Sequence, residues 1–156
     1  MIICPDDHLI NDAGLYEWSV ERVTQAWRTS ESQLDAALMN PRLSQLVLVV
    51  GLPGAGKTTT LAKLGASDHE AVFFDAAALC RRSSRADYIK KATRFGWKVS
   101  ALVIDTPPQT CLERNLARPD NRRVPEVSMT RWAAALAACP PSKDEGLAEI
   151  VVVKGT

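Results

Sequence analysis

GLPGAGKT, residues 51–58, decides how the chain is read. It matches G-x-x-x-x-G-K-[ST] in full. The continuous apolar run Leu46-Val47-Leu48-Val49-Val50 precedes it, and a helical pattern from Thr59 to Leu64 follows. Strand, glycine-rich turn and helix in that order are the context in which this spacing cradles phosphate. The glycines let the backbone bend so that its N–H groups point inward. The following helix turns its positive N-terminus toward the same anion. Gly51, Gly54, Ala55, Gly56, Lys57, Thr58 and Thr59 are the expected nucleotide-binding set. Lys57 is expected to reach the β- and γ-oxygens, and the Thr58 hydroxyl to hold Mg²⁺. No N-K-x-D-like segment that would read guanine is evident, which favours ATP.

Outward from this loop the pattern alternates. Ala71-Val72-Phe73-Phe74 reads as a buried strand ending at Asp75, expected beside the Leu46–Val50 strand. An acid at that strand end can hold Mg²⁺ directly or through water, because ligands of open parallel sheets bind at the carboxyl ends of the strands. Arg85 to Phe95 reads as a helix closed by Gly96, Val99 to Ile104 as a strand ending at Asp105, and Ile150 to Val153 as the last strand. Thr110 to Ala117 and Met129 to Ala138 read as helices. The spacing of Val20, Val23, Ala26, Trp27, Leu34, Ala37 and Leu38 predicts a helix capped by Ser19 and stopped at Asn40-Pro41. The fold class that follows is α/β: a three-layer phosphate-loop NTPase or kinase fold around a parallel sheet of about five strands, in one domain over residues 1–156.

Composition narrows the setting. Cys4, Cys80, Cys111 and Cys139 are scattered without a C-x-x-C pair, so reduced thiols and a cytoplasmic location are expected. His8 and His69 are isolated and suggest no metal cluster. Asp6 and Asp7 break the N-terminal apolar run, unlike a signal peptide. The net charge is +1, unevenly spread: Arg81 to Arg131 holds 12 Lys+Arg against 5 Asp+Glu, and the remainder 7 against 13. A basic segment of this kind is compatible with a polyanionic partner or with an ordinary solvated surface. Arg114 and Arg118 are four apart and share a helical face, with Arg122 and Arg123 following in a Pro-flanked loop. Arginines converging there would stabilise a phosphoryl group in transfer.

The order of segments is unusual. About seven residues separate Leu64 from Val72, too few for the strand, acidic loop and helix that usually follow the phosphate-loop helix of a small kinase. A strand (Ile2-Ile3-Cys4), an acidic loop from Pro5 to Gly14 and a helix instead occupy residues 1–40, ahead of residues 46–156. A permuted strand order, with the acceptor-binding unit placed first, accounts for this.

Further residues carry a family resemblance. Asp75, Gly96-Trp97-Lys98-Val99, Arg114-Asn115-Leu116-Ala117-Arg118, Val124-Pro125 and Glu145-Gly146 resemble the polynucleotide-kinase type of phosphate-loop kinase. That family has a strand ending in D-x-T-N-L, then G-W-K-V, an R-N-x-x-R lid and a V-P. PDDHLINDAGLYEW is similar to its D-D segment, whose first aspartate is the general base toward the acceptor hydroxyl. The resemblance implies Asp6, Lys57, Arg114 and Arg118 as catalytic residues. It implies Thr58 and Asp75 at the metal, and Asp6, Asp7, Arg82 and Arg85 at the acceptor. ATP and Mg²⁺ are the implied cofactors, and a 5′-hydroxyl end of DNA or RNA the favoured acceptor. Two departures fall on the acceptor side: D-x-T-N-L is Asp75-Ala76-Ala77-Ala78-Leu79, and the arginine of the family's D-D-x-R is Leu9. A hydroxymethyl-pyrimidine base in phage DNA, a nucleotide or another small molecule stays open as acceptor, as does a non-catalytic ATP-binding switch. Trp18 and Trp27 are each candidates for the core or for stacking on a base.

Overall fold

Val47, Val49 and their neighbours can be buried on both sides only inside a sheet covered by helices on both faces, and that is the arrangement found. The structure is a computed structural model that describes residues 1–66 and 70–155, so His69 lies outside the described residues. Five strands, β1 (Ile2–Ile3), β2 (Gln45–Val50), β3 (Val72–Asp75), β4 (Lys98–Asp105) and β5 (Ile150–Lys154), form one sheet in the order β1-β3-β2-β4-β5. Every pairing is parallel. β3 lies directly beside β2 with Val49 opposite Asp75, as the apolar run ending in Asp75 predicts. The N-terminal strand takes the edge beyond β3, so the permuted order is a property of the fold.

Side-chain alternation sorts the core into two layers. On one face Leu46, Leu48, Val50, Val72 and Phe74 meet Leu34 and Leu38 of α1 (Val20–Leu38) and Tyr88 and Ile89 of α3 (Arg82–Thr93). On the other, Val49, Phe73, Leu102 and Ile104 meet Leu61 of α2 (Lys57–Lys63), Cys111 of α4 (Pro108–Leu116) and Met129 of α5 (Glu126–Ala138). Ser19 caps α1 as predicted, its hydroxyl accepting the Arg22 N–H at 3.1 Å. Trp27 goes largely to the core, its ring 6.5 Å from that of Phe74, which in turn lies 4.4 Å from Tyr88.

Four helix starts fall earlier than the sequence places them, α2 and α4 by two residues and α3 and α5 by three. α3 begins at Arg82 rather than Arg85, because its first turn is Arg82-Ser83-Ser84 and carries no apolar residue. α5 begins at Glu126 rather than Met129, directly after Pro125, whose fixed φ suits a helix entry. All four cysteines are free. Among the described residues no helix is long and apolar enough to cross a membrane.

Arg82 and Arg85 correct an expectation: neither lines the cavity at the phosphate loop. Arg85 is fully buried. Its Nε and Nη2 donate to the two Glu145 carboxylate oxygens, both at 2.8 Å, and the guanidinium also donates to the Leu79 and Cys139 carbonyls. This fork pins the connection after β3 to the turn before β5. Arg82 forms a surface pair with Asp144 of that same turn at 2.6 Å. An arginine with its donors already committed in the core has none to offer a substrate. Arg85→Ala would strand the Glu145 charge, and urea unfolding should show a loss of about 3–5 kcal/mol.

Candidate active site

The phosphate loop joins β2 to α2 and depends on two glycines with left-handed backbone. Gly54 has φ +83° and Gly56, the N-cap of α2, has φ +95°. At Gly54 the space is as restrictive as the dihedral: a Cβ there would come within 2.7 Å of the Cys111 carbonyl oxygen in α4. The loop is thus packed against the start of α4, and Arg114 of that helix donates to the Gly54 carbonyl at 3.1 Å. Thr106, at the carboxyl end of β4, donates to the Ala55 carbonyl at 2.8 Å. Gly51 and Ala55 are buried in this scaffold, while Gly54, Gly56, Lys57, Thr58 and Thr59 face a cavity of about 500 Å³.

Lys57 is poised over the loop. Its Nζ donates to the Gly51 and Leu52 carbonyls at 3.1 and 3.3 Å and sits 3.7 Å from the Asp75 carboxylate. Asp75 is buried at the end of β3. Burial raises its pKa; the nearby Lys57 ammonium works against that shift, and the charges of Asp6 and Asp7 add to it. Thr58 is exposed to the cavity beside it. The residues fit a triphosphate and its cation. The loop has the glycine-only cradle, the lysine is held by weak carbonyl contacts it can leave, and a hydroxyl and a carboxylate share the loop's end of the cavity.

The N-terminal unit closes the opposite wall. β1 runs into a 3-10 turn, Pro5–Leu9, anchored by buried Pro5 and Leu9, which leaves Asp6 and Asp7 facing the cavity. Asp6 is exposed at the cavity wall, and the protein around its carboxyl removes part of its hydration. That desolvation raises its pKa; Lys57 opposes the shift, Asp7 adds to it, and Arg118 and Arg122 oppose it. The neighbouring Cys4 thiol is pushed up to about 12 by burial and by Asp75, Asp6 and Asp7, so it stays protonated. His8 is drawn away by Gln33, 3.3 Å from its ring nitrogen.

A lid completes the site. Arg118 lies just past the end of α4, beyond the helix it was expected to share with Arg114, yet both face the cavity. The Arg118 guanidinium makes no hydrogen bond or ion pair among the described residues, which leaves a cation ready for an anion. Asn115, buried between the two arginines, accepts the Val124 N–H at 3.0 Å and donates to the Val124 carbonyl at 2.8 Å. That double bond holds the returning strand of the lid and explains why R-N-x-x-R is coupled to V-P. Residues 120–122 then dock on the N-terminal unit. Arg122 stacks 4.3 Å from the centroid of the Tyr16 ring, and the Trp18 indole donates to the Asn121 carbonyl at 2.5 Å.

The cavity therefore brings together Asp6, Asp7, Lys57, Thr58, Thr59, Asp75, Arg114 and Arg118 and excludes Arg82 and Arg85. Sequence reasoning missed Thr106 and Tyr16. Thr106 follows the strand-ending Asp105, a position that parallel sheets devote to ligands. Tyr16 gave no signal by itself, since its role depends on a lid more than 100 residues away.

Comparison with known proteins assigns a family to the part of the chain that follows the phosphate loop. A family model described as an AAA domain matches residues 61–142, just over half of the chain. No curated protein matches it.

Two consequences can be measured. Gly54→Ala would impose backbone strain of about 1–3 kcal/mol on the loop, and calorimetry should find ATP binding weakened roughly tenfold or more. Because the folded pKa of Asp75 is raised, the unliganded protein binds more protons than the unfolded chain between the ordinary carboxylate value and the raised one. Its stability then falls as pH rises through that window. Asp75→Asn should flatten this slope and leave the unliganded protein at least as stable as wild type at neutral pH, read by urea unfolding from about pH 4 to pH 8.

Proposed function

The chain belongs to the AAA-domain family of P-loop nucleotide-binding proteins, which includes kinases, and on that footing we propose that it is an Mg²⁺-ATP-dependent kinase that phosphorylates a hydroxyl on nucleic acid, in the manner of polynucleotide kinases. The observation that carries this is the position of Asp6. A carboxylate brought by a separate strand faces Lys57, Arg118 and Arg122 across one cavity. A nucleotide-binding switch has no use for an acid at that place. A phosphotransferase needs one to receive the acceptor's proton.

In this mechanism the loop amides and Lys57, released from the Gly51 and Leu52 carbonyls, hold the β- and γ-phosphates. Mg²⁺, held by Thr58 and by Asp75 directly or through water, would neutralise charge on those phosphates. Asp6 takes the proton of the acceptor hydroxyl. The acceptor oxygen bonds to the γ-phosphorus as the bond to the bridging oxygen breaks, and ADP leaves with the electron pair. Arg118, assisted by Arg114, stabilises the charge that moves onto the transferring group. The Arg114 contact to Gly54 also fixes the loop against the lid.

The nucleic-acid acceptor rests on the resemblance and on the cations around the cavity. Four of the twelve cations of the basic segment, Arg82, Arg85, Lys91 and Arg123, pair with carboxylates. Arg118 and Arg122 are the ones left at the cavity mouth. A second version keeps the chemistry and takes a small molecule as acceptor. It is favoured by the lid, whose docking on Tyr16 and Trp18 narrows the acceptor end.

Labelled ATP offered with free-5′-hydroxyl oligonucleotides, 5′-blocked oligonucleotides, blocked DNA carrying hydroxymethyl-pyrimidines, and free nucleosides separates these acceptors. Label on free 5′ ends is expected; label on nucleosides alone would move the assignment to a small acceptor. Asp6→Asn should lower kcat by about 10²- to 10⁴-fold. Wild-type kcat should rise with pH through a value above the ordinary carboxylate range, since Asp6 must lose a proton held by its surroundings. That acidic limb should vanish in Asp6→Asn.

A further inference from the structure

Trp18 is 47% exposed, yet it is not loose. Its indole N–H is fastened to the Asn121 carbonyl, and the Tyr16 ring lies 6.3 Å away at 31°. Arg122 covers the Tyr16 ring, so the indole is the aromatic surface still open to the cavity. Ile10, itself 43% exposed and bridged to Tyr16, extends the apolar patch. The Asn121 bond accounts for the indole N–H, while the exposed ring face leaves apolar surface in water that burial would stabilise. Both features sit on the wall that carries Asp6, across from the phosphate loop.

We infer that Trp18 is the platform on which the acceptor lies: the phosphorylated hydroxyl belongs to a molecule with a planar unsaturated ring, of nucleobase type, which stacks on the indole while its hydroxyl faces Asp6. This rests on the kinase assignment and sharpens it. The recognised unit is a single unpaired ring at the acceptor's end, since one face of that ring must be given to Trp18. The polar surroundings suit such a unit. Asp7 beside Asp6 can accept hydrogen bonds from it, and Arg122 offers a cation to any phosphate that follows. Ala77 lines the cavity where the resembling family carries a threonine, and it leaves room for the ring.

The test is a fluorescence titration of the full chain saturated with a non-hydrolysable ATP analogue, using thymidine and adenosine as probes and deoxyribose as the ring-free control. Quenching by the nucleosides and not by deoxyribose, absent in Trp18→Phe because the reporting indole is gone, is expected. Competition of thymidine against a labelled nucleoside then gives affinity without the indole signal. It should be about tenfold or more weaker in Trp18→Ala and largely retained in Trp18→Phe, which keeps a ring but loses the Asn121 bond. No quenching by either nucleoside overturns the inference, as does saturation of the Trp18 signal by the ATP analogue alone. Equal losses in Trp18→Phe and Trp18→Ala also overturn it, since they would assign Trp18 to holding the lid. The kinase assignment fails separately. Quenching without phosphate transfer to any nucleoside or oligonucleotide would sink the assignment and keep the ring site. Transfer at equal KM to oligonucleotides with a normal or an abasic 5′ residue would do the reverse.

Discussion

Ile2 and Ile3 pair in parallel with Phe73 and Phe74, and the site depends on that short ladder. Ile3 is almost fully buried and belongs to the same core as Phe74, Leu34 and Leu38. Its side must therefore face α1, and a slip of one residue would turn it to the wrong face of the sheet. With register fixed, the chain leaves β1 at the carboxyl end of the sheet, where Pro5 turns it into a single 3-10 turn. Asp6 then stands opposite a lysine that lies far along the chain. Two residues of strand thus convert a nucleotide-binding loop into a two-sided cavity.

Cations outnumber carboxylates in the cavity by one. Asp6, Asp7 and Asp75 face Lys57, Arg114, Arg118 and Arg122. Lys57 lies between the Asp75 carboxylate and the loop carbonyls. A triphosphate would reverse the balance. In the proposed mechanism it would draw Lys57 and Arg118 to itself and leave the carboxylates to a cation and a proton. The same desolvation that holds the Asp6 pKa up makes it a better proton acceptor at neutral pH than an ordinary surface carboxylate, once it has ionised. The lid couples the two halves. Asn115 fixes its base, while Tyr16 and Trp18 hold its tip, so the arginines and the acceptor wall are positioned together.

Much of this was legible in the sequence, for physical reasons. The phosphate loop announces itself because only glycine tolerates the backbone of Gly54 and Gly56. The parallel strands do so because burial on both faces demands unbroken apolar runs. The short spacing from Leu64 to Val72 revealed the permuted order, since a missing element must be supplied from elsewhere. What failed was polarity without context. Arg82 and Arg85 read as substrate contacts because the resemblance carries no information about the distant Asp144 and Glu145 that pair with them. Tyr16 and the lid contact were invisible for the same reason. Each is defined by a partner far along the chain, and no local spacing records it.

The most direct test is a crystal structure with a non-hydrolysable ATP analogue and Mn²⁺, whose anomalous signal locates the cation. The account predicts Mn²⁺ at the Thr58 and Asp75 side. It predicts the γ-phosphate between Lys57 and Arg118, open toward Asp6. A γ-phosphate turned away from the N-terminal wall, or Asp6 bound to the metal in place of facing the phosphoryl group, would contradict it.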